Sequence, residues 1–277
     1  MLHPGATYLE FQPSSELAPY VKCYALLEYN LPSSTMLVDH FIPFGCPYLN
    51  IGFRGEFWID QPIFKRVGFS THHVAGQILR PFQHYHSGDS GMLGIFFHPS
   101  GFYQLFGLPM VELTQNSIDI EDFFGNKGKK LISELALPTT SQQKIELCEE
   151  MLSSLLPNKL QTTDDIDQAI QYIQQKPHQH IDEVCEYFHI SSRHLRRKFK
   201  EKVGVGPKSY LRICRFHKVL QLSYQYPQVD FQDLSFHCGY YDLSHFSREF
   251  KQFSGKSPFQ YFNKNQRKLE VGGVLQQ

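Results

Sequence analysis

The stretches that decide the fold are His194–Tyr210 (HLRRKFKEKVGVGPKSY) and His245–Tyr261 (HFSREFKQFSGKSPFQY), because they are two copies of one pattern. Leu195, Arg197, Phe199, Lys200, Gly204, Pro207 and Tyr210 recur 51 positions on as Phe246, Arg248, Phe250, Lys251, Gly255, Pro258 and Tyr261. Upstream the offset is 50, with Ile181, Asp182 and Val184 matching Phe231, Gln232 and Leu234. A change of one residue belongs in a turn, since loops accept insertions and helix interiors do not. Each copy therefore reads as helix, turn, helix, over about 181–204 and 231–255. In the first, Val184 and Phe188 share a face at i, i+4, Ser191 is the N-cap, and a helix from Ser192 to about Val203 turns Leu195 and Phe199 inward. Gly204 stands where a left-handed C-cap is wanted. In the second, Gly239-Tyr240-Tyr241 makes the turn, Asp242 caps, and Phe246 and Phe250 face inward. Lys208–Tyr224 is predicted as a single helix joining the units, ended by Pro227.

With its inner face spent on Leu195 and Phe199, the second helix of the first unit leaves Arg193, Arg196, Arg197 and Lys200 at i, i+3, i+4 and i+7. The matching outer face of the second unit is Ser244, Ser247, Arg248 and Lys251, with His245 beside it. Such helices suit the major groove of double-stranded DNA, where arginine takes guanine O6 and N7 bidentately and lysine holds phosphate. The charge distribution agrees. From His178 to Gln277 there are 16 Lys or Arg against 9 Asp or Glu, a balance of +7, while the other 177 residues carry 11 against 18, a balance of −7. A basic C-terminal third is the footprint of a polyanion binder, and an acidic remainder would be repelled by phosphate.

These residues resemble the tandem helix-turn-helix domain of AraC-type (AraC/XylS) bacterial transcription regulators, over roughly Thr162 to Phe262 and most specifically in CGYYDLSHFSREFKQFSGKSPFQYF. The resemblance implies seven helices, from an opening helix around Asp164–Gln175 to a closing helix near Pro258–Lys268. It also implies promoter or operator DNA as partner, an activator's contact with RNA polymerase, and a cytoplasmic protein. Cys185 and Ser235 replace the alanine usual in the family, and Tyr240 the commoner Phe. His189 replaces the usual glycine of the first turn, so a slightly different backbone is expected there.

The chain's 277 residues are a prior for about two domains. Its 41% hydrophobic and 19% charged residues are those of a globular protein. No apolar run reaches the roughly 18 residues of a membrane span, and MLHPGATYLE has neither half of a signal peptide. Six scattered cysteines form neither a zinc ribbon nor a disulfide framework, which fits a reducing compartment. The expected division is an effector domain over 1–157, a linker over 158–163, the DNA-binding domain over 164–268 and a tail over 269–277.

In the N-terminal part, Phe41–Asp60 alternates on either side of Arg54-Gly55, and Phe82–His98 on either side of Ser87–Gly91, so two hairpins are predicted. Together with Gly and Pro punctuation they point to a small β-barrel or sandwich from about Tyr8 to Phe97 with short helices after it. The whole chain is then α+β: a cupin-like barrel with flanking helices, followed by an all-α domain. This layout also resembles the AraC family, whose members often place a cupin-like effector domain first. Tyr48, Phe53, Phe57 and Trp58 would make an aromatic pocket for a small-molecule effector, or simply core. Ser141–Leu156 carries Ile145, Cys148, Leu152 and Leu155 as an apolar stripe, suited to the barrel or to the second subunit of a homodimer.

A cupin can be an enzyme, so the alternative is a metal-dependent cupin enzyme fused to a DNA-binding module. His84 and His86 share a strand face, but in a hairpin turning at Asp89 His98 would lie about 13 Å from the level of His84, too far for shared ligation. No metal, cofactor or catalytic residue is therefore expected. Phosphate-loop and GxSxG patterns are missing from the sequence.

Overall fold

The computed structural model describes residues 5–60, 71–137, 140–157 and 164–264. The expected linker, 158–163, and tail, 269–277, lie outside them. The N-terminal part is a seven-stranded sheet: β1 (Ala6–Phe11), β2 (Val21–Tyr29), β3 (Met36–Phe41), β4 (Tyr48–Asp60), β5 (His72–Ala75), β6 (Phe82–Phe97) and β7 (Ser117–Asp119). The strand order is β1-β2-β6-β4-β5-β7, with β3 on β6. Pairing ends at β1 and β7 among the described residues, so the sheet is cupin-like without a closed hydrogen-bonded barrel.

The two expected hairpins are instead two long strands paired with each other. β4 and β6 run antiparallel from Tyr48↔Phe96 to Asp60↔Gln83, with register shifts around Arg54. The glycines read as turn signals serve as facing kinks: Gly55 and Gly88 have φ of 67° and 63°, and the space a Cβ on Gly55 would need is filled by Asp89 and Ser90. Left-handed glycine bends a strand at a bulge as readily as it reverses one. Short-range sequence cannot distinguish the two. β6 pairs with β4 along one edge and with β3 and then β2 along the other, which makes it the spine of the sheet.

Both faces of the sheet are covered, and β2 and the second half of β6 are buried almost continuously for that reason. On one face Leu26, Leu49, Ile51, Phe53, Leu93, Ile95 and Phe97 meet the helices α1 (Gly101–Phe106), α2 (Ile120–Phe124), α3 (Asn126–Leu135) and α4 (Ser141–Ser153). Ile145, Cys148 and Leu152 of α4 are buried there and Leu155 packs beside them. The apolar stripe of α4 is thus used on its own sheet and not on a second subunit.

The C-terminal part has seven helices among the described residues: α5 (Asp165–Gln175), α6 (Ile181–Tyr187), α7 (Ser192–Lys202), α8 (Pro207–Gln225), α9 (Phe231–His237), α10 (Leu243–Ser254) and α11 (Pro258–Lys264). α8 serves two cores. Tyr210 and Leu211 close the first unit with Val184, Leu195 and Phe199, while Phe216 and Val219 close the second with Leu234, Phe246 and Phe250.

The sheet domain rests directly on these helices. Thr114 Oγ1 donates to the Gly204 carbonyl at 2.8 Å, and Tyr103 of α1 donates to Glu201 of α7 at 2.6 Å. Gly204 has φ of 91°, and a Cβ there would come within 2.5 Å of Thr114 Oγ1, so both conformation and contact demand glycine. Ile42 joins the core of the second unit, and Leu79 packs against the cores of both.

Candidate nucleic-acid interface and effector cavity

The second helices of the two units, expected to read DNA, are built alike. Ser191 accepts from the His194 amide at 3.2 Å to start α7, and Asp242 from the His245 amide at 2.6 Å to start α10. Leu195, Phe199, Phe246 and Phe250 are wholly buried, which fixes the roll of each helix. His189, where a different backbone was expected, takes φ of 53°, in the same left-handed region as Gly239 at 78°. Histidine tolerates that region better than β-branched residues do.

On α7, Arg193, Arg196, Arg197 and Lys200 are all exposed. Arg197 is partly engaged, 3.9 Å from Glu201 and 3.4 Å from His194 Nδ1. Glu201 also takes Lys198 at 2.9 Å, and the Tyr103 hydroxyl and then Lys198 hold its carboxyl below the usual range. On α10, Ser244, Arg248 and Lys251 are exposed and Ser247 is half-buried. His245 is half-buried, with its side chain 40% exposed. It stands 3.8 Å from Glu249, with its ring 5.5 Å from that of Tyr240. Glu249 is 2% exposed and pairs closely with Arg212 of α8. His245 thus belongs to a polar network that clamps α10 to α8.

Sequence reasoning missed a comparable clamp in the first unit. Lys202 is buried at the end of α7, with Nζ 2.8 Å from both Asp164 and Asp167 at the start of α5. The signal was present, because Lys202 falls on the inner side of the helix that buries Leu195 and Phe199.

The face of the sheet away from α1–α4 encloses an aromatic cavity of about 30 Å³, bounded by Phe41, Phe44, Tyr48, Phe82, His84 and Phe96. Of the four expected ligand residues, Tyr48 lines it. Phe57 stacks on His84 with centroids 5.6 Å apart. Phe53 faces the other way, into the helix-covered core beneath the Lys144 ammonium, because alternation and the Arg54 bulge separate it from its neighbours. Trp58 of β4 pairs with Tyr85 of β6, and its side chain lies outside the described residues. The Tyr48 hydroxyl and His84 Nδ1 are buried without a hydrogen-bond partner among the described residues. Burial first, and then His86 and His73, keeps the His84 imidazole well below its ordinary pKa.

His84 and His86 do share a face, their rings 5.6 Å apart, and His86 lies 3.3 Å from Asp39. His98 is far off. With no hairpin, twelve residues of nearly continuous strand separate it from His86, about 40 Å at 3.4 Å per residue, and it binds the Ala18 carbonyl at 3.1 Å. Among the described residues no three His, Cys, Asp or Glu are grouped to hold a metal ion.

Two helix-turn-helix units, each with a capped second helix of basic outer face and joined by one helix, define a tandem helix-turn-helix domain. Residues 184–264 match a family described as a helix-turn-helix domain, and residues 9–119 one described as a domain of unknown function. The matched C-terminal residues are thus a helix-turn-helix domain, as the resemblance to AraC-type regulators implies. It is 39% identical over 81 residues to the HTH-type transcriptional activator RhaR of Pectobacterium carotovorum, an alignment covering 29% of this chain and 28% of that protein. To RhaS of Escherichia coli O157:H7 it is 27% identical over 128 residues, 44% and 46% of the two chains. The chain thus spans less than half the length of these curated relatives. A solved structure of ToxT from Vibrio cholerae aligns with a TM-score of 0.48 at 11% identity, over 88% of this chain and 99% of that one. No helix among the described residues is long and apolar enough to cross a membrane.

Proposed function

We propose that this protein is a sequence-specific DNA-binding transcription regulator of the cytoplasm, an activator that contacts RNA polymerase, with residues 1–157 sensing a small molecule and 164–268 reading the operator. The observation that carries the reading is the pair of matched, capped helices whose exposed sides hold Arg193, Arg196, Arg197 and Lys200 on one and Arg248 and Lys251 on the other. Arg193, Arg196 and Arg248 lie on the first halves of their helices, nearest base edges, and Lys200 and Lys251 one turn later, beside phosphate. The relatives reported above are regulators, which favours this reading over a metal-dependent cupin enzyme.

For the effector, the aromatic cavity is the better site than the original four residues. Its lining is apolar, with two unpaired polar groups, the Tyr48 hydroxyl and His84 Nδ1, to orient a ligand. A cavity of about 30 Å³ admits little more than a water, so an effector must part the rings around it. A homodimer, if the regulator forms one, must use a surface other than the α4 stripe. Selection of genomic fragments by the full chain tests the whole reading: enrichment of one shared sequence, lost on replacing Arg193 and Arg196 together, is expected. Uniform recovery of all fragments would contradict it.

A further inference from the structure

Where the two helix-turn-helix units differ in length, the extra residue is Tyr241. His189 and Gly239 correspond as the left-handed residues of their turns, and Ile190 and Tyr240 follow them, half-buried and buried. Ser191 and Asp242 correspond as N-caps, each bonded to the amide three residues on. The second unit inserts one residue between these landmarks, and that residue is 87% exposed. An insertion that served only to lengthen a turn would be small or polar. This one is a large amphipathic ring.

It stands just ahead of the extended N-cap Asp242, at the end of α10 from which the exposed residues 244, 248 and 251 run at helical spacing. In α7 the residue just ahead of the N-cap is the half-buried Ile190, the counterpart of Tyr240, and its side chain offers no polar atom. The units also differ in charge, with four cations on the outer side of α7 and two on that of α10. The second helix has less electrostatic hold on phosphate and needs an anchor of another kind. Leu243, also exposed, adds an apolar surface two residues further on.

We propose that Tyr241 is a DNA contact, its hydroxyl donating a hydrogen bond to a backbone phosphate oxygen at the lip of the groove that α10 enters, and that it sets the register of the second unit on the duplex. This rests on the DNA-binding reading above. Tyrosine is one of the side chains that positions a protein on DNA through phosphate, and that contact carries no base preference of its own.

The test uses the full chain on one fragment enriched by the wild type. Tyr241→Phe keeps the ring and removes the hydroxyl, Tyr241→Ala removes both, and Tyr226→Phe, at the exposed end of α8, is the control. Tyr241→Phe is expected to weaken binding about tenfold, as for a hydrogen bond to a charged group, with the salt dependence unchanged because no ion pair is lost. Ethylating a single phosphate in the second half of the site should weaken the wild type and leave Tyr241→Phe indifferent. Equal binding by Tyr241→Phe and wild type, with the same ethylation pattern, overturns the proposal while leaving the DNA-binding reading intact. A variant that relaxes preference at one base pair instead overturns the phosphate assignment. Failure of the wild type to bind any duplex overturns both readings.

Discussion

If α7 and α10 are the DNA readers, their unequal charge must appear in the salt dependence of binding. Each cation brought into the groove, whether it ends on a base edge or on phosphate, offsets backbone charge and contributes about 0.9 to the slope of log affinity against log salt, so a fourfold rise in salt, from about 50 to about 200 mM, weakens binding about 3.5-fold per cation. α10 offers Arg248 and Lys251, and neutralising both should lower the slope by about 1.8, a difference of about 12-fold over that range. α7 offers Arg193, Arg196 and Lys200 outright, and Arg197 only so far as it leaves Glu201 at 3.9 Å. Neutralising all four should lower the slope by about 2.7 if Arg197 stays with Glu201 and by about 3.6 if it swings to the DNA, or about 40-fold and about 150-fold. Glu201→Gln, compared with the same change in an Arg197→Ala chain so that the release of Lys198 cancels, separates these cases: the Arg197 share should steepen the slope by up to about 0.9. Fluorescence anisotropy on one fixed fragment at three salt concentrations gives all the slopes. Equal losses from the two helices, or a larger loss from α10, would refute the assignment of both as groove-bound readers.

Three further outcomes follow from buried groups. Lys202→Met strands the buried Asp167 carboxylate and should cost about 3 to 5 kcal/mol in urea denaturation; adding Asp167→Asn should restore most of it, and a loss below about 1 kcal/mol would mean the clamp is not closed in solution. His84 is held neutral by burial, so its imidazolium forms only in the unfolded chain. Its contribution is complete above the unfolded value near 6.5 and drains away as pH falls below it. The melting temperature should therefore drop between pH 7.5 and 5.5, and drop less in His84→Gln; parallel curves would show that His84 is not buried. Leu152→Glu places a carboxylate in the core between α4 and the sheet and should unfold the N-terminal domain, whereas a folded variant of altered sedimentation would return α4 to a subunit interface.

The C-terminal domain was legible because its information is local and duplicated. Caps, inward aromatics and left-handed glycines sit within a few residues of the contacts they make, and the second copy checks the first. The roll of each helix follows from Leu195, Phe199, Phe246 and Phe250, so the exposure of Arg193 or Lys251 followed as well. His245 gains a contact that sequence spacing does not give, because its neighbour Glu249 is drawn inward by Arg212 on a helix that spacing does not place. In the sheet domain the deciding contacts are long-range. Gly55 lies opposite Asp89 and Ser90, and only that pairing turns two apparent hairpins into one long kinked ladder. Phe53 was assigned to the pocket for the same reason: side-chain alternation counts reliably along a strand only until a bulge resets it.

Leu79 packs between the two helix-turn-helix cores, and Phe82, three residues further on, is already part of the cavity wall; Ile42 and Phe41 repeat the arrangement from a second segment. The angle between the reading helices is accordingly held by three bodies, the long helix α8 and two short arms of the sheet domain. A fragment cut at the linker keeps the hinge and loses the struts. On the DNA-binding reading proposed above, its two halves are expected to rock about α8 and to tolerate spacings between half-sites that the intact protein rejects, which would make its footprint a poor guide to the ruler the whole chain lays along the double helix.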